Sequence, residues 1–398
     1  MALAVPTEVL GHEPRRISIL GSTGSVGKNT VELILNDPNG GRGYVVEALT
    51  ANTNVALLAE QAKALAPNFV AIGDEALLCD LTDALAGTGI TVGAGEAALT
   101  EAAARPVDWV MAAIVGAAGL NPTLAAIRQG ATVALANKEV LVCAGDLVMQ
   151  EVAASGGALL PVDSEHNAIF QVFDFDHPES VDRIILTASG GPFREFDLDR
   201  MATVTPAEAV AHPNWDMGAK ISIDSATMMN KGLELIEAHH LFRMPEEKID
   251  ILLHPQSVVH SMVSYVDGSV LAQLGAPDMR TPISVTLAWP NRMEFSAQTL
   301  DLAAIGTLTF EPPDYERFPA LSLARQALQT GGTAPTILNA ANEVAVVEFM
   351  AGRIGFLDIA RVVEETLTEI PGAALRSLDD VFETDTSARD VAKRVSGS

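Results

Sequence analysis

A short apolar segment, Ile17-Ser-Ile-Leu20, runs directly into Gly21-Ser-Thr-Gly24-Ser-Val-Gly27, and Val31, Leu33, Ile34 and Leu35 then keep a helical period. Strand, glycine turn and helix in that order confine the start of the chain to a βα unit. The glycines permit the tight turn and let backbone N–H groups approach a dinucleotide pyrophosphate. The alternation continues, with strands over 44–50, 69–72, 107–115 and 131–136 and helices over 55–65, 75–86 and 122–129. Alternation of this kind predicts a doubly wound parallel sheet, an α/β fold with a dinucleotide site.

The loop after the second strand is Ala51-Asn52-Thr53-Asn54. An NAD enzyme usually places a carboxylate here for the ribose 2′-hydroxyl. Its absence leans towards NADP, although no Arg or Lys stands ready for a 2′-phosphate. Asn52, Thr53, Asn54 and Ser25 offer neutral hydrogen bonds instead. The strand over 131–136 ends in Asn137-Lys138-Glu139. Ligands gather at such carboxyl ends, and the alternative is a capped start to the helix over 140–154.

Beyond it, a strand over 158–162 ends in Asp163-Ser-Glu-His-Asn-Ala168. Asp163 and Glu165 can turn to one side, and convergent carboxylates without basic partners repel unless a cation intervenes. With Glu234 they make an all-oxygen set that suits Mg²⁺ or Mn²⁺. The competing reading is an N-cap cluster, with His166 a helix-start residue. Thr187-Ala-Ser-Gly-Gly-Pro-Phe193 offers Ser189 and two glycines as an anion cradle or a plain turn. From His212 to Glu234 the chain reads first as a loop, then as a helix capped by Ser225 or Thr227. Ser225, Asn230 and Lys231 near that helix start suit a phosphate. Glu234 does not, and should face something positive.

Residues 257–266 and 269–274 flank Asp267-Gly268 as a hairpin, whose edge could pair subunits. A Pro-rich linker over 289–318 leads to helices only, over 320–329, 337–350, 357–367 and 388–395. Asn339, Asn342 and Glu343 read as structural polar groups.

Charge narrows the partners. With a net charge of −26 the chain would be repelled by nucleic acid and by anionic membranes. A phosphorylated small molecule needs a local basic site, and of only seven lysines two, Lys138 and Lys231, fall in the stretches above. The two cysteines, Cys79 and Cys143, sit in apolar helical patterns and read as small buried hydrophobes. The N-terminus lacks a secretory pattern and the apolar run over 110–120 is too short to span a bilayer, so a cytoplasmic protein is expected.

Together the motifs at 21–27, 137–139, 163–168, 187–193 and 212–234, with His254-Pro-Gln-Ser-Val-Val-His260, closely resemble the 1-deoxy-D-xylulose 5-phosphate reductoisomerase family from Arg16 onward. The resemblance implies NADPH, a divalent metal (Mg²⁺ or Mn²⁺) and a homodimer. It also implies an N-terminal NADPH domain over 16–154 after an extension of 1–15, a central α+β catalytic and dimerisation domain over 155–288, the linker, and a C-terminal helical bundle over 319–398. Asp163, Glu165 and Glu234 would bind the metal. Ser189, Ser225, Asn230 and Lys231 would meet the substrate phosphate, with Lys138 and Ser164 on the sugar. His212 and Trp215 would lie on a covering flap. Thr23, Gly24, Ser25, Val26, Asn137, Glu139 and Gly218 would lie at the cofactor. Many members of the family carry a Lys where this chain has Thr53.

The implied reaction is rearrangement and NADPH reduction of a 2-keto sugar phosphate, with Lys138, Glu165, His212 and Trp215 at the chemistry. A metal-dependent isomerase or aldolase without a redox step is the rival that the glycine turn disfavours. The three carboxylates disfavour a non-catalytic dinucleotide sensor.

Overall fold

The computed structural model describes residues 14–37, 43–211 and 218–397. These divide into two units. The first comprises the described parts of Met1–Val140, Val148–Phe170 and Asp278–Gln298, and the second those of Leu141–Leu147, Gln171–Pro277 and Thr299–Ser398.

The first unit is built on seven strands: β1 (Arg15–Leu20), β2 (Tyr44–Ala51), β3 (Phe69–Ile72), β4 (Thr91–Ala94), β5 (Trp109–Ala112), β6 (Thr132–Leu135) and β7 (Ala158–Pro161). All pairs are parallel, in the order β4-β3-β2-β1-β5-β6-β7. Every residue of β3, β5, β6 and β7 is buried, as expected of strands covered on both faces. The order reverses between β1 and β5, so a crevice for a ligand opens beyond Leu20 and Ala112. β4 and the helix Gly95–Ala104 do not stand out in the sequence, because their Gly- and Ala-rich run carries few large apolar residues. The helix Arg280–Ala288 returns to this unit from far along the chain. Its Ile283 and Leu287 join the core around Ile17, Ile19 and Trp109, and the Trp109 indole N–H donates to the Thr286 carbonyl at 3.1 Å.

The second unit holds a mixed sheet of β8 (Val181–Ala188), β9 (Ile249–Leu253), β10 (Val259–Tyr265) and β11 (Val270–Leu274), in the order β11-β10-β8-β9. β8 and β9 are parallel and the other pairs antiparallel. The expected hairpin is there. Gly268 takes φ +86°, and the Asp267 carboxylate accepts from the Ser269 N–H at 2.8 Å. β11 is an edge strand, with Val270, Leu271 and Leu274 exposed.

The helical C-terminal region consists of Ala320–Thr330, Ala334–Met350, Asp358–Glu369 and Leu378–Ser396. The last helix starts well before the expected 388. A capping box between Ser377 and Asp380 begins it, and the many charges that follow blur its apolar period. Within the expected linker there is a short helix, Leu302–Ile305, and Glu311 forms an antiparallel bridge with Leu253. Cys143 is buried as expected, but Cys79 is exposed, because its short helix, Leu78–Ala84, buries only Leu81. Among the described residues no helix is long and apolar enough to cross a membrane.

Candidate active site

In the first unit the glycine turn is a rigid cradle. Gly21 has φ +84°, and a Cβ there would lie 2.5 Å from the Ala113 carbonyl oxygen of the loop after β5. A Cβ on Gly27 would lie 2.3 Å from the Gly21 oxygen, so only glycine lets the helix Ser25–Leu35 close on the turn. Gly24 takes an extended conformation at the helix start, and among the described residues no side chain caps the helix. The first N–H groups of that helix, from Ser25 and Val26 onward, therefore lack intrahelical acceptors and suit a phosphate. Thr23 is half-buried, and Gly24 and Ser25 are exposed. Asn52, Thr53 and Asn54 are exposed at the end of β2, but Asn54 is already used, since its side chain accepts from the Leu57 N–H and caps the helix Val55–Leu65.

Asn137 is buried at the end of β6. Its amide donates to the carbonyls of Ile114 and Gly116, which pins the loop after β5, and its Oδ1 has no hydrogen-bond partner among the described residues. Glu139 is buried in the first turn of the helix Glu139–Ser155, where the helix dipole favours a carboxylate.

Lys138 meets Asp163, Nζ to Oδ2 at 2.9 Å, with both side chains mostly covered. Asp163 Oδ1 also accepts from the Glu165 N–H at 3.2 Å, at the start of the helix Ser164–Val172. The Ser164 hydroxyl donates to Glu165 at 2.5 Å. The N-cap and the carboxylate cluster are thus the same residues. His166 is fully buried in that helix, with Nδ1 3.7 Å from Asp163.

In the second unit the stretch after Gly218 corrects the expectation. Ala219–Ala226 is a helix rather than a loop, with Gly218 at its N-cap. Ser225 therefore sits in the last turn of this helix and does not cap the next one. Thr227 ends it, and its hydroxyl accepts from the Met229 N–H at 3.3 Å. Met228, at φ 63°, makes the sharp turn into the helix Met229–Phe242. Gly190 and Gly191 have φ +83° and +66°, and a Cβ on Gly191 would lie 2.7 Å from the Ser225 carbonyl. The Ser189 turn and Ser225 are thus neighbours, and the Gly191 N–H donates to the Ser189 hydroxyl at 3.2 Å. On the next helix Asn230 and Lys231 lie one turn before Glu234. Lys231 and Glu234 are almost fully buried, and both Lys231 and Asn230 donate to the Glu234 carboxylate. The positive group that Glu234 faces within its own unit is the Lys231 ammonium. His212 and Trp215 lie outside the described residues.

Several residues escape the sequence reading. Asp224 is buried and accepts from Lys220 at 2.9 Å and from the Asn342 amide at 2.8 Å, which ties the Ser225 helix to Ala334–Met350. A carboxylate one turn after a lysine, Lys220 to Asp224, was the available signal. Asn339 donates to Glu343, itself paired with Arg389, so these are structural polar groups as read. His254 is structural too. Nδ1 lies 2.8 Å from the Thr309 carbonyl and Nε2 accepts from the Val258 N–H, which fixes the tautomer.

The helix Glu139–Ser155 breaks at Ala144, which has φ −139° and ψ 24°. The Thr336 hydroxyl donates to the Cys143 carbonyl at 3.0 Å, and a Cβ on Gly145 would strike the His240 ring. Burial, followed by the neighbouring His239, pushes the His240 imidazole down to about 4, against the opposing pull of Asp146.

Three family profiles match the chain. They are 1-deoxy-D-xylulose 5-phosphate reductoisomerase over residues 17–145, its C-terminal domain over 159–242, and the DXP reductoisomerase C-terminal domain over 274–391. The 1-deoxy-D-xylulose 5-phosphate reductoisomerase of Rhodospirillum centenum is 64% identical over 381 residues, spanning 96% of this chain and 94% of its own length. That of Zymomonas mobilis is 59% identical over 377 residues, spanning 95% and 96%. The solved structure of the Zymomonas mobilis enzyme in complex with NADPH superposes with a TM-score of 0.92 at 56% identity, covering 98% of this chain and all of that one. A DOX-P reductoisomerase in complex with NADPH, fosmidomycin and magnesium gives 0.90 at 42% identity, covering 96% and 98%.

Proposed function

This chain belongs to the 1-deoxy-D-xylulose 5-phosphate reductoisomerase family, and from that premise we propose which of its residues carry the reaction. The reaction is the NADPH- and divalent-metal-dependent rearrangement and reduction of 1-deoxy-D-xylulose 5-phosphate to 2-C-methyl-D-erythritol 4-phosphate, a step of non-mevalonate isoprenoid biosynthesis.

Asp163, Glu165 and Glu234 would hold the divalent ion. An all-carboxylate donor set fits a hard Mg²⁺ or Mn²⁺. When bound, the ion supplies charge stabilisation for the oxygens of the keto sugar during rearrangement. The observation that carries the reading is that two of these carboxylates already meet ammonium groups, Lys138 with Asp163 and Lys231 with Glu234. Carboxylates shared with a cation free each lysine to meet a substrate oxygen. Lys138, with Ser164, would then orient the sugar. Lys231, with Ser189, Ser225 and Asn230, would hold the phosphate, whose remote binding energy keeps the reacting carbons in place. His212 and Trp215 would cover the substrate and exclude water.

NADPH supplies the hydride. Its pyrophosphate would rest on residues 23–26, with the N–H groups of Thr23, Ser25 and Val26 turned to it, and its adenosine end on Asn52 and Thr53. Asn137, Glu139 and Gly218 would lie towards its reactive end. The proposal keeps the three-part division into 16–154, 155–288 and 319–398, joined by 289–318. It includes a cytoplasmic homodimer that covers the exposed edge strand β11, whose apolar residues favour association.

Mn²⁺ binding tests the ligand set. Asp163→Asn, Glu165→Gln and Glu234→Gln should each weaken Mn²⁺ at least about tenfold, or ~1.4 kcal/mol, measured by electron paramagnetic resonance on protein with unchanged circular dichroism. Unaltered Mn²⁺ affinity in any of the three removes that residue from the set. A monomer by light scattering would remove the dimer.

A further inference from the structure

Gln61 stands out on the helix Val55–Leu65. It lies on the face that carries Leu58, Ala59 and Ala62 into the core, and it is itself only 5% exposed. Its Nε2 donates to the Ser22 carbonyl at 3.0 Å, while its Oε1 is buried with no partner among the described residues. A buried amide that leaves its acceptor end unsatisfied costs stability, and Leu or Met would pack the same stripe without that cost. The donor end must therefore serve something, and what it touches is the middle of the glycine turn.

Three contacts from outside the turn hold the Gly21–Ser22 backbone. The Gly21 N–H donates to the Thr50 hydroxyl at 2.9 Å, the Ser22 N–H donates to the Thr50 carbonyl at 2.7 Å, and the Ser22 carbonyl accepts from Gln61. The third contact decides an orientation. In a trans peptide the carbonyl of one residue and the N–H of the next point in opposite directions. A Ser22 carbonyl drawn into the core by Gln61 turns the Thr23 N–H the other way, out of the core. The same helix begins at Asn54, so Gln61 also ties the glycine turn to the loop after β2.

We propose that Gln61 is a positioning residue for NADPH. It aims the Thr23 N–H at the pyrophosphate and registers the glycine turn against the loop that meets the adenosine end. The inference rests on the proposed seating of the cofactor on residues 23–26.

Gln61→Met keeps the volume and removes the donor. It should raise the Kd for NADPH, read by fluorescence titration, at least tenfold. The KM for 1-deoxy-D-xylulose 5-phosphate at saturating NADPH should not rise, and the Tm of the ligand-free protein should not fall. Gln61→Glu supplies a sharper signature. Its carboxylate repels the Ser22 carbonyl, but its protonated form carries an O–H that can donate. Burial raises the pKa of such a group, so NADPH affinity in this variant should recover as the pH is lowered from about 8 to about 6, whereas the wild type shows no such gain. NADPH affinity within twofold of wild type in Gln61→Met, or parallel losses for NADPH, sugar phosphate and Tm, overturns the proposal. So does a folded Gln61→Glu variant with no recovery. Gly24→Glu separates this from the cofactor seating, because a Cβ at Gly24 meets nothing closer than 3.4 Å. If Gly24→Glu binds NADPH normally, the seating itself fails. If it loses NADPH while Gln61→Met does not, only the role of Gln61 fails.

Discussion

Acid should weaken the second unit through His240. The imidazole packs against Gly145, with its Nδ1 3.7 Å from Asp146 and its ring 5.0 Å from His239. Burial, then the neighbouring His239, lowers its pKa from 6.5 to about 4. The unfolded chain therefore takes up a proton near pH 6.5, while the folded chain resists until about pH 4. Between those values the unfolded state binds more protons. The stability this group lends is fully present above pH 6.5 and is lost as the pH falls towards 4. At ~1.4 kcal/mol per unit, acidification from about pH 7.5 to about pH 4.5 should remove roughly 2–3 kcal/mol through His240 alone. The assay is urea unfolding of the ligand-free protein and of His240→Gln at both pH values. Other groups move in the same direction. Glu47, for example, is desolvated but held low by hydrogen bonds from Asn68, Arg105 and Arg16. Such contributions are shared by both proteins and cancel in the difference. His240→Gln should be the less stable protein at neutral pH, and the gap should shrink by roughly 2–3 kcal/mol in acid. An unchanged gap would falsify the reasoning, since the imidazole would then titrate alike in both states.

Three further outcomes are expected. The carboxylate-free end of β2 should give at least about tenfold preference for NADPH over NADH in kcat/KM, or ~1.4 kcal/mol, and Thr53→Lys should widen it; equal use of both cofactors would refute this. A hydroxamate linked by a short carbon chain to a phosphonate should compete with the sugar phosphate, need the divalent ion, and bind far more weakly to Lys231→Ala. Equal potency after chelation would separate the metal and phosphate subsites. Gly21→Ala should abolish NADPH binding, because its left-handed backbone costs ~1 kcal/mol or more and its Cβ would lie 2.5 Å from the Ala113 oxygen; near-normal titration would show that the turn yields.

What could be read from the chain depends on the range of the interactions involved. The glycine turn announces itself because much of its constraint is local: a positive φ at Gly21 and the close approach of Gly27 to the Gly21 oxygen leave only glycine. The parallel sheet was legible because strands buried on both faces are unbroken apolar runs. Ala219–Ala226 was hidden by its eight-residue length and by the Pro and Gly just before it. Asp163 and Glu234 were legible as unusual carboxylates, but their pairing with Lys138 and Lys231 was not, since side-chain partners are chosen by folded geometry. Gln61 is legible only in hindsight, as a polar residue on a face otherwise turned to the core. Cys79 was misread because a short amphipathic helix says little about which of its sides meets the core.

That last feature makes the chain convenient to watch. Of its two thiols, Cys143 is buried and Cys79 is exposed. A maleimide dye or nitroxide added to the untouched wild-type protein should therefore attach at one site, on the first unit, without any engineered cysteine. The mobility of the attached probe would then report on that unit through a catalytic cycle, while every group assigned above to ion, phosphate and cofactor keeps its native side chain.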